Sequence, residues 1–320
     1  MALSRSSLRI SVVIPVFNRA THVLDAIRSV LAQTFPACEI LVVDDGSTDG
    51  SAEAVAAAFG AKVRLLRQAN LGPSAARNTA IHAASGDWIA FLDSDDCWLP
   101  QKLEEQSQVI EQYQKIARVC FCDNFFSGDQ ALRRSVFAMT NFSPAESHGV
   151  LDDAGLLIAE EREPFYTSSI VIARDLLLQV GGFDQAVTLR EDSDLFFRLS
   201  LRTRFCYTST PLVMIDRDPM RPHGLCELYA SRNKRKNQSL ERVYSKWFSM
   251  PAVQGTRYGL PVRHLLRRTY WNSFADYFRA CNLRAAFNRL RWLKQVEGGL
   301  LPFLRFFVAK LWHGLRRRMP

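Results

Sequence analysis

The sequence predicts an α/β fold: a mostly parallel sheet flanked by helices, followed by a basic helical C-terminal extension. Three observations carry that expectation. Short, continuous apolar runs rich in Val and Ile alternate with segments of helical spacing through the first half of the chain, the pattern of strands buried on both faces and joined by crossover helices. Clusters of Asp and Gly fall directly after those runs, where a parallel sheet carries its ligand-binding loops. Charge divides the chain: residues 1–220 hold 20 Lys/Arg against 28 Asp/Glu, net −8, and residues 221–320 hold 21 against 4, net +17. An acidic front and a basic back imply different roles.

The elements follow in order. Ile10–Val16 (ISVVIPV) reads as a buried strand, and Asn18–Ala32 as a helix with Val23, Ile27, Val30 and Leu31 on one side. Glu39–Asp44 (EILVVD) is a second strand, Thr48–Phe59 an Ala-rich helix, Lys62–Arg67 a third strand and Pro73–Ala84 a helix. Trp88–Leu92 is a fourth strand and Pro100–Tyr113 a further helix. Beyond residue 115 strands are expected at Ala117–Cys122, Thr167–Ala173 and Arg204–Ile215, with helices at Asp175–Val180 and Asp192–Leu201. From about residue 225 the chain reads as helical and basic.

Composition limits the classes of function. The 320 residues are 48% hydrophobic and 23% charged, enough to bury a core and to form two units, or one unit plus an appendage. With Gly 16 and Pro 13, collagen-like and low-complexity chains are excluded. The seven cysteines contain no CxxC pair, so neither a zinc ribbon nor a disulfide scaffold is expected, and a reducing compartment is. Met1–Arg9 is polar rather than leader-like. The longest apolar stretch, Leu300–Trp312, is broken by Pro302, Arg305 and Lys310, so no membrane span is expected.

The acidic loops carry the chemistry. Asp93, Asp95 and Asp96 follow a buried strand within four residues; crowded carboxylates repel unless a cation neutralises them, and a hard divalent ion takes one or two carboxylates together with phosphates and water. A solvated turn, or Asp96 capping the next helix, is the alternative. The loop Asp44–Gly50 (DDGSTDG) also ends a strand: a tight turn with a helix cap accounts for Ser47, Thr48 and Asp49 but not for the pair Asp44-Asp45, and an Asp at a strand tip suits a base or ribose.

Five blocks together resemble family 2 glycosyltransferases of the GT-A fold: SVVIPVFN at 11–18, VVDDGSTDG at 42–50, NLGPSAARN at 70–78, GDWIAFLDSDDCWLP at 86–100 and GGFDQAVTLREDSDLFFRL at 181–199. P-loop and GxGxxG motifs are absent. The resemblance implies a Rossmann-like donor-binding part at 1–105, an acceptor-binding part at 106–224 and a basic helical region at 225–320. It implies an inverting enzyme that uses a UDP-, GDP- or dTDP-sugar and Mg²⁺ or Mn²⁺. Pro15, Val16, Phe17 and Asp44 would hold the base, with Asp45 supporting. Asn70 and Arg77 would approach the nucleotide. Asp93 would hold the ribose or the metal shell, Asp95 would be the principal metal ligand, and Asp96 would support the loop. Asp192 would be the general base, although an Asp there also suits a helix N-terminus. Gly181-Gly182 would turn near the acceptor, and Arg217 and His223 fall near a loop that can cover the diphosphate.

The implied acceptor is a glycan or lipid-linked glycan in surface polysaccharide or lipopolysaccharide synthesis, met by a cytoplasmic enzyme peripheral to the inner face of the membrane. A nucleotidyltransferase or an inactive membrane adaptor are the alternatives; no motif supports nucleic acid as a partner. Two stripes mark the tail, Val262, Leu266, Tyr270, Phe274, Tyr277 and Cys281, and Leu300, Leu304, Phe307, Leu311 and Leu315. Together with Trp292 and Trp312 they suit an anionic membrane surface or packing on protein.

Overall fold

The structure, a computed structural model, describes residues 8–127, 135–216, 234–299 and 303. Arg217, His223, Cys226, Trp312 and the stripe from Leu300 to Leu315 lie outside the described residues. The chain forms two compact units: Met1–Ala186 with Glu191–Arg221, and Val187–Arg190 with Pro222–Pro320.

The first unit is built on one nine-stranded sheet. β1 (Ile10–Val16), β2 (Glu39–Asp44), β3 (Arg64–Arg67) and β4 (Trp88–Phe91) lie in the order β3-β2-β1-β4, and all three pairings are parallel. β1 is buried along its whole length, as its unbroken apolar run requires of a strand covered on both faces. The covering helices include α1 (His22–Leu31), which buries Val23, Ala26, Ile27 and Val30 at helical spacing, α2 (Ser51–Phe59) and α3 (Pro73–Ala83). Helix α2 starts later than its Ala-rich pattern suggests. The Asp49 carboxylate takes the Ser51 N–H and hydroxyl, and Gly50 turns with φ +84°, so residues 48–50 are spent on the turn.

The parallel arrangement ends at β4. β8 (Ile170–Ala173) runs antiparallel to both β4 and β6 (Ala117–Phe126). β9 (Arg204–Ile215) is parallel to β6 and antiparallel to β5 (Cys97–Trp98) and β7 (His148–Leu151). The sheet is therefore parallel on one side and mixed on the other. β6 reaches four residues beyond the apolar run because Asp123 is buried as an acceptor for the Phe137 N–H at the start of α5 (Val136–Met139). Residues Thr167–Ser169 form a 3-10 turn rather than strand, closed by the Ser169 hydroxyl on the Tyr166 backbone. Pro211 sits where the β6–β9 register shifts, which lets a residue without an N–H remain in the strand. Helices α4 (Lys102–Tyr113), α6 (Ala154–Ala159), α7 (Arg174–Gln179) and α8 (Glu191–Ser200) complete the described helices of this unit.

The second unit holds α9 (Lys234–Ser249), α10 (Gly259–Arg279) and α11 (Leu283–Val296). Val262, Leu266, Tyr270 and Tyr277 of the first tail stripe are buried inside this unit. Tyr270 bonds Ser245 of α9 and stacks with Trp292 of α11, and Tyr277 bonds Gln238. That stripe is thus a core seam. No helix among the described residues is long and apolar enough to cross a membrane.

Candidate active site

The sheet register assembles the acidic loops. Val16 pairs with Asp44 and Val13 with Phe91, so β1 is flanked by the carboxyl ends of β2 and β4. Asp44 and Asp93 consequently emerge on the same edge, two strand spacings or about 10 Å apart. Pro15 and Val16 are buried in the strand between them and Phe17 is 43% exposed at its tip. Asp44 is buried and accepts the Ser47 N–H at 3.1 Å.

Asp45 performs a different task. Its carboxylate takes the Gln68 amide at 2.7 Å and the backbone N–H groups of Leu71 and Gly72 at 3.0 and 2.8 Å. It therefore ties the loop after β2 to the loop after β3 and places Asn70, whose side chain is exposed. Gly46, at φ +79°, sits against that loop; a Cβ there would lie 2.9 Å from the Asn70 nitrogen, so only glycine fits.

Arg77 occupies the middle of the site. It projects from α3, is 4% exposed, and donates to Asp93 at 2.7 Å and Glu191 at 3.3 Å. The Phe183 ring lies 5.1 Å from its guanidinium. Burial alone would weaken the cation, but Asp93 and Glu191 more than offset that and raise its pKa. The acidic loop and the first turn of α8 thus share one counter-charge. Glu191 itself is pushed up to about 7 by burial and by the adjacent Asp192, against the pull of Arg77. Asp192 is half-buried and receives the Ser193 N–H at 2.7 Å. The sequence marks the pair Glu191-Asp192 but gives a role only to Asp192, because the charge that explains the burial of Glu191 stands 114 residues away.

The loop Asp93–Asp96 is held from beneath. Because β8 runs against β4, Ser168 in the 3-10 turn that leads into β8 arrives beside the end of β4. The Ser168 hydroxyl accepts the Asp93 N–H at 3.0 Å and donates to Asp96. The Asp216 N–H, returned by β9, donates to the other Asp96 oxygen at 3.0 Å. Asp96 is buried, and burial together with Asp93 and Asp95 drives its pKa well above the usual carboxylate range. The Trp98 indole donates to the Ser168 carbonyl at 2.9 Å, and the buried Lys102 ammonium stands 3.8 Å from the Trp98 ring. Lys102 also bonds Gln106, which holds the Ser169 carbonyl. Ser168, Asp216 and Lys102 carry no local sequence signal: only the fold brings them to the loop.

Asp95 differs from its neighbours. It is 40% exposed, with Arg19 at 4.0 Å, and burial of the loop and repulsion from Asp93 raise its pKa. Among the described residues no group of three or more His, Cys, Asp or Glu side chains is arranged to hold a metal alone. The donor set of Asp93 and Asp95 nevertheless fits a hard divalent cation: two carboxylates that disfavour one another's charge would welcome it, with phosphate and water as further ligands.

The turn at Gly181-Gly182 is clamped from both sides. Asn78 of α3 gives and takes hydrogen bonds with the Phe183 backbone, both at 2.8 Å. Arg198 of α8, paired with Asp194 at 2.9 Å, donates to the Val180 and Gly182 carbonyls at 2.7 Å each. These contacts fix the entry to α8 relative to α3.

Residues 11–174 match the family described as Glycosyl transferase family 2. An uncharacterised glycosyltransferase of Rickettsia prowazekii (strain Madrid E) is 28% identical over 189 residues, covering 59% of this chain and 58% of that protein. Another from Rickettsia conorii (strain ATCC VR-613 / Malish 7) is 47% identical over 105 residues, 32% of this chain and 17% of that protein. The chain spans less than two thirds of the length of these curated relatives. S. aureus TarS 1-349 in complex with UDP-GlcNAc superposes with a TM-score of 0.68 at 19% identity, covering 90% of this chain and 81% of that one. Mannosyltransferase PcManGT from Pyrobaculum calidifontis, in complex with GDP-Man and Mn²⁺, gives 0.57 at 20% identity, covering 96% and 81%. At these identities the structures share the GT-A fold. With the family match extending over half of the sequence and including Asp44, Arg77 and Asp93, the chain belongs to glycosyl transferase family 2.

Proposed function

We propose that the chain transfers a sugar from a nucleoside-diphosphate donor to a hydroxyl acceptor with inversion at the anomeric carbon. The observation that carries this reading is the single buried guanidinium of Arg77, which couples Asp93 on the donor side to the Glu191-Asp192 turn. Pro15, Val16, Phe17 and Asp44 form the base-binding tip of the sheet, and Asn70 borders it. Asp93 holds the ribose, and Asp93 and Asp95 hold Mg²⁺ or Mn²⁺. When bound, the metal neutralises charge that builds on the leaving diphosphate. Arg77 fixes Asp93 and approaches the nucleotide from α3, its Nε having no hydrogen-bond partner among the described residues.

Asp192 is half-exposed at the head of α8 and serves as general base, taking the proton of the acceptor hydroxyl as it attacks. One base acting opposite the leaving group corresponds to direct displacement. TarS in complex with UDP-GlcNAc and PcManGT with GDP-Man and Mn²⁺ support the donor class and the metal. The acceptor in this reading is a surface polysaccharide or lipid-linked glycan, met at the inner face of the cell membrane.

The test is a panel of nucleotide sugars with Mn²⁺, read by thermal shift and then by transfer. A donor that raises the melting temperature identifies the nucleotide and sugar. Asp192→Asn is expected to keep that shift while transfer falls by on the order of 10²–10⁴. Loss of donor binding and transfer in equal measure would assign Asp192 a structural role.

A further inference from the structure

Among its described residues, the second unit carries an outward face that its core leaves uncovered. Helix α11 turns Ala286, Leu293 and Val296 inward, all buried. Beside that seam, one turn apart, Leu283 is 50% exposed and Phe287 61% exposed. Arg284 and Arg291 bracket Phe287 at i−3 and i+4, on the same side of the helix, and Lys294 follows one turn further on. All three cations are exposed. Phe278, at the end of the adjoining α10, is 53% exposed and stacks on Phe274 with centroids 5.7 Å apart.

The charge around this face has one sign. Residues 283–296 contain no Asp or Glu, and of their four cations only Arg289 is turned inward, paired with Glu241 at 2.9 Å, leaving Arg284, Arg291 and Lys294 on the exposed side. The nearest acid on α10, Asp276, is already engaged by Arg279 and Asn237. A purely solvated face explains the arginines but not two phenylalanines and a leucine held in water. A second copy of the same face would set cations against cations. An anionic bilayer meets both requirements: the apolar side chains enter the headgroup–acyl boundary while the guanidinium groups stay at the level of the lipid phosphates.

We propose that Phe278, Leu283 and Phe287, with Arg284 and Arg291, dock this unit on an anionic lipid bilayer. The inference deepens the reading of a membrane-presented acceptor by naming the surface that reaches it. Binding to lipid needs neither donor nor metal, so its failure would leave the transferase reading intact.

The experiment is vesicle flotation of the full chain, with phosphatidylcholine alone and with added phosphatidylglycerol, at low and high salt. Wild type should float with the anionic vesicles, much less with neutral ones, and should be released by salt. Arg284→Gln/Arg291→Gln should weaken binding roughly thirtyfold, at about 1 kcal/mol per basic residue near the surface. Phe278→Ser/Leu283→Ser/Phe287→Ser should weaken it comparably, with the melting temperature unchanged. Equal binding to both vesicle types would overturn the proposal, as would wild-type flotation of both variants. So would a wild-type oligomer that the triple variant dissolves without any vesicle binding. If the triple variant melts early, the arginine pair alone decides.

Discussion

Arg77 and Glu191 stand 114 residues apart in sequence and 3.3 Å apart in space, and the same guanidinium reaches Asp93 at 2.7 Å. Removing it would leave the buried Glu191 and the part-exposed Asp93 without their shared cation. Arg77→Ala should therefore lower unfolding stability in urea by about 3–5 kcal/mol. Arg77→Lys should recover only part of this, because an ammonium lacks the planar fork that serves two partners. An Arg77→Ala denaturation midpoint equal to wild type would show that the bridge carries no energetic weight.

Asp95 tests the metal. Its carboxylate is the exposed member of the acidic loop, crowded by Asp93. Asp95→Ala should abolish Mn²⁺-dependent donor hydrolysis or transfer and weaken Mn²⁺ binding measured by calorimetry in the presence of nucleoside diphosphate. Unchanged metal affinity in that titration would remove Asp95 from the ligand set.

The two glycines of the turn separate space from backbone conformation. Gly181 and Gly182 have φ +79° and +64°, yet a Cβ on Gly181 meets nothing within 4 Å whereas one on Gly182 would lie 2.4 Å from the Asn78 amide oxygen. Gly181→Ala should cost about 1–2 kcal/mol for the left-handed conformation alone. Gly182→Ala should cost visibly more and, by displacing Asn78, should also reduce transfer. Equal melting temperatures for the two variants would mean that Asn78 yields freely.

Lys102 supplies a pH signature. Burial lowers its pKa to about 8, so from there up to the ordinary lysine value near 10.5 the unfolded chain binds more protons than the folded one. The penalty for burying the ammonium is present in full below pH 8 and is relieved as pH rises toward 10. Wild-type stability should therefore gain on Lys102→Met by up to about 3 kcal/mol across that range, at 1.36 kcal/mol per pH unit. Parallel urea stability curves for the two proteins would mean that the amine is neutral or solvated in the folded state.

The parallel side of the sheet was legible because burial on both faces leaves a plain trace: Glu39–Asp44 reads as strand from its apolar run alone, and Pro73 marks the start of α3. The mixed side was less so. Nothing in Ile170–Ala173 reveals its direction, and strand direction is what brings Ser168 beneath Asp93. Asp123 looks like the end of a strand until its partner at Phe137 is known. Arg77 reads as a residue that approaches the nucleotide; its burial follows from Asp93 and Glu191, which the fold alone unites. The tail stripe from Val262 to Tyr277 was periodic in either reading, since a core seam and a lipid-facing stripe share a 3.6-residue repeat.

The three hydrogen bonds received by Asp45, and the missing Cβ of Gly46 against Asn70, weld two consecutive sheet-edge loops into one piece. A chimaera that imports residues 68–72 from a relative while keeping its own Asp45-Gly46 inherits that joint only if the incoming backbone offers the same amides. Transplants made to alter sugar preference should therefore move residues 44–50 and 68–72 as a matched cassette.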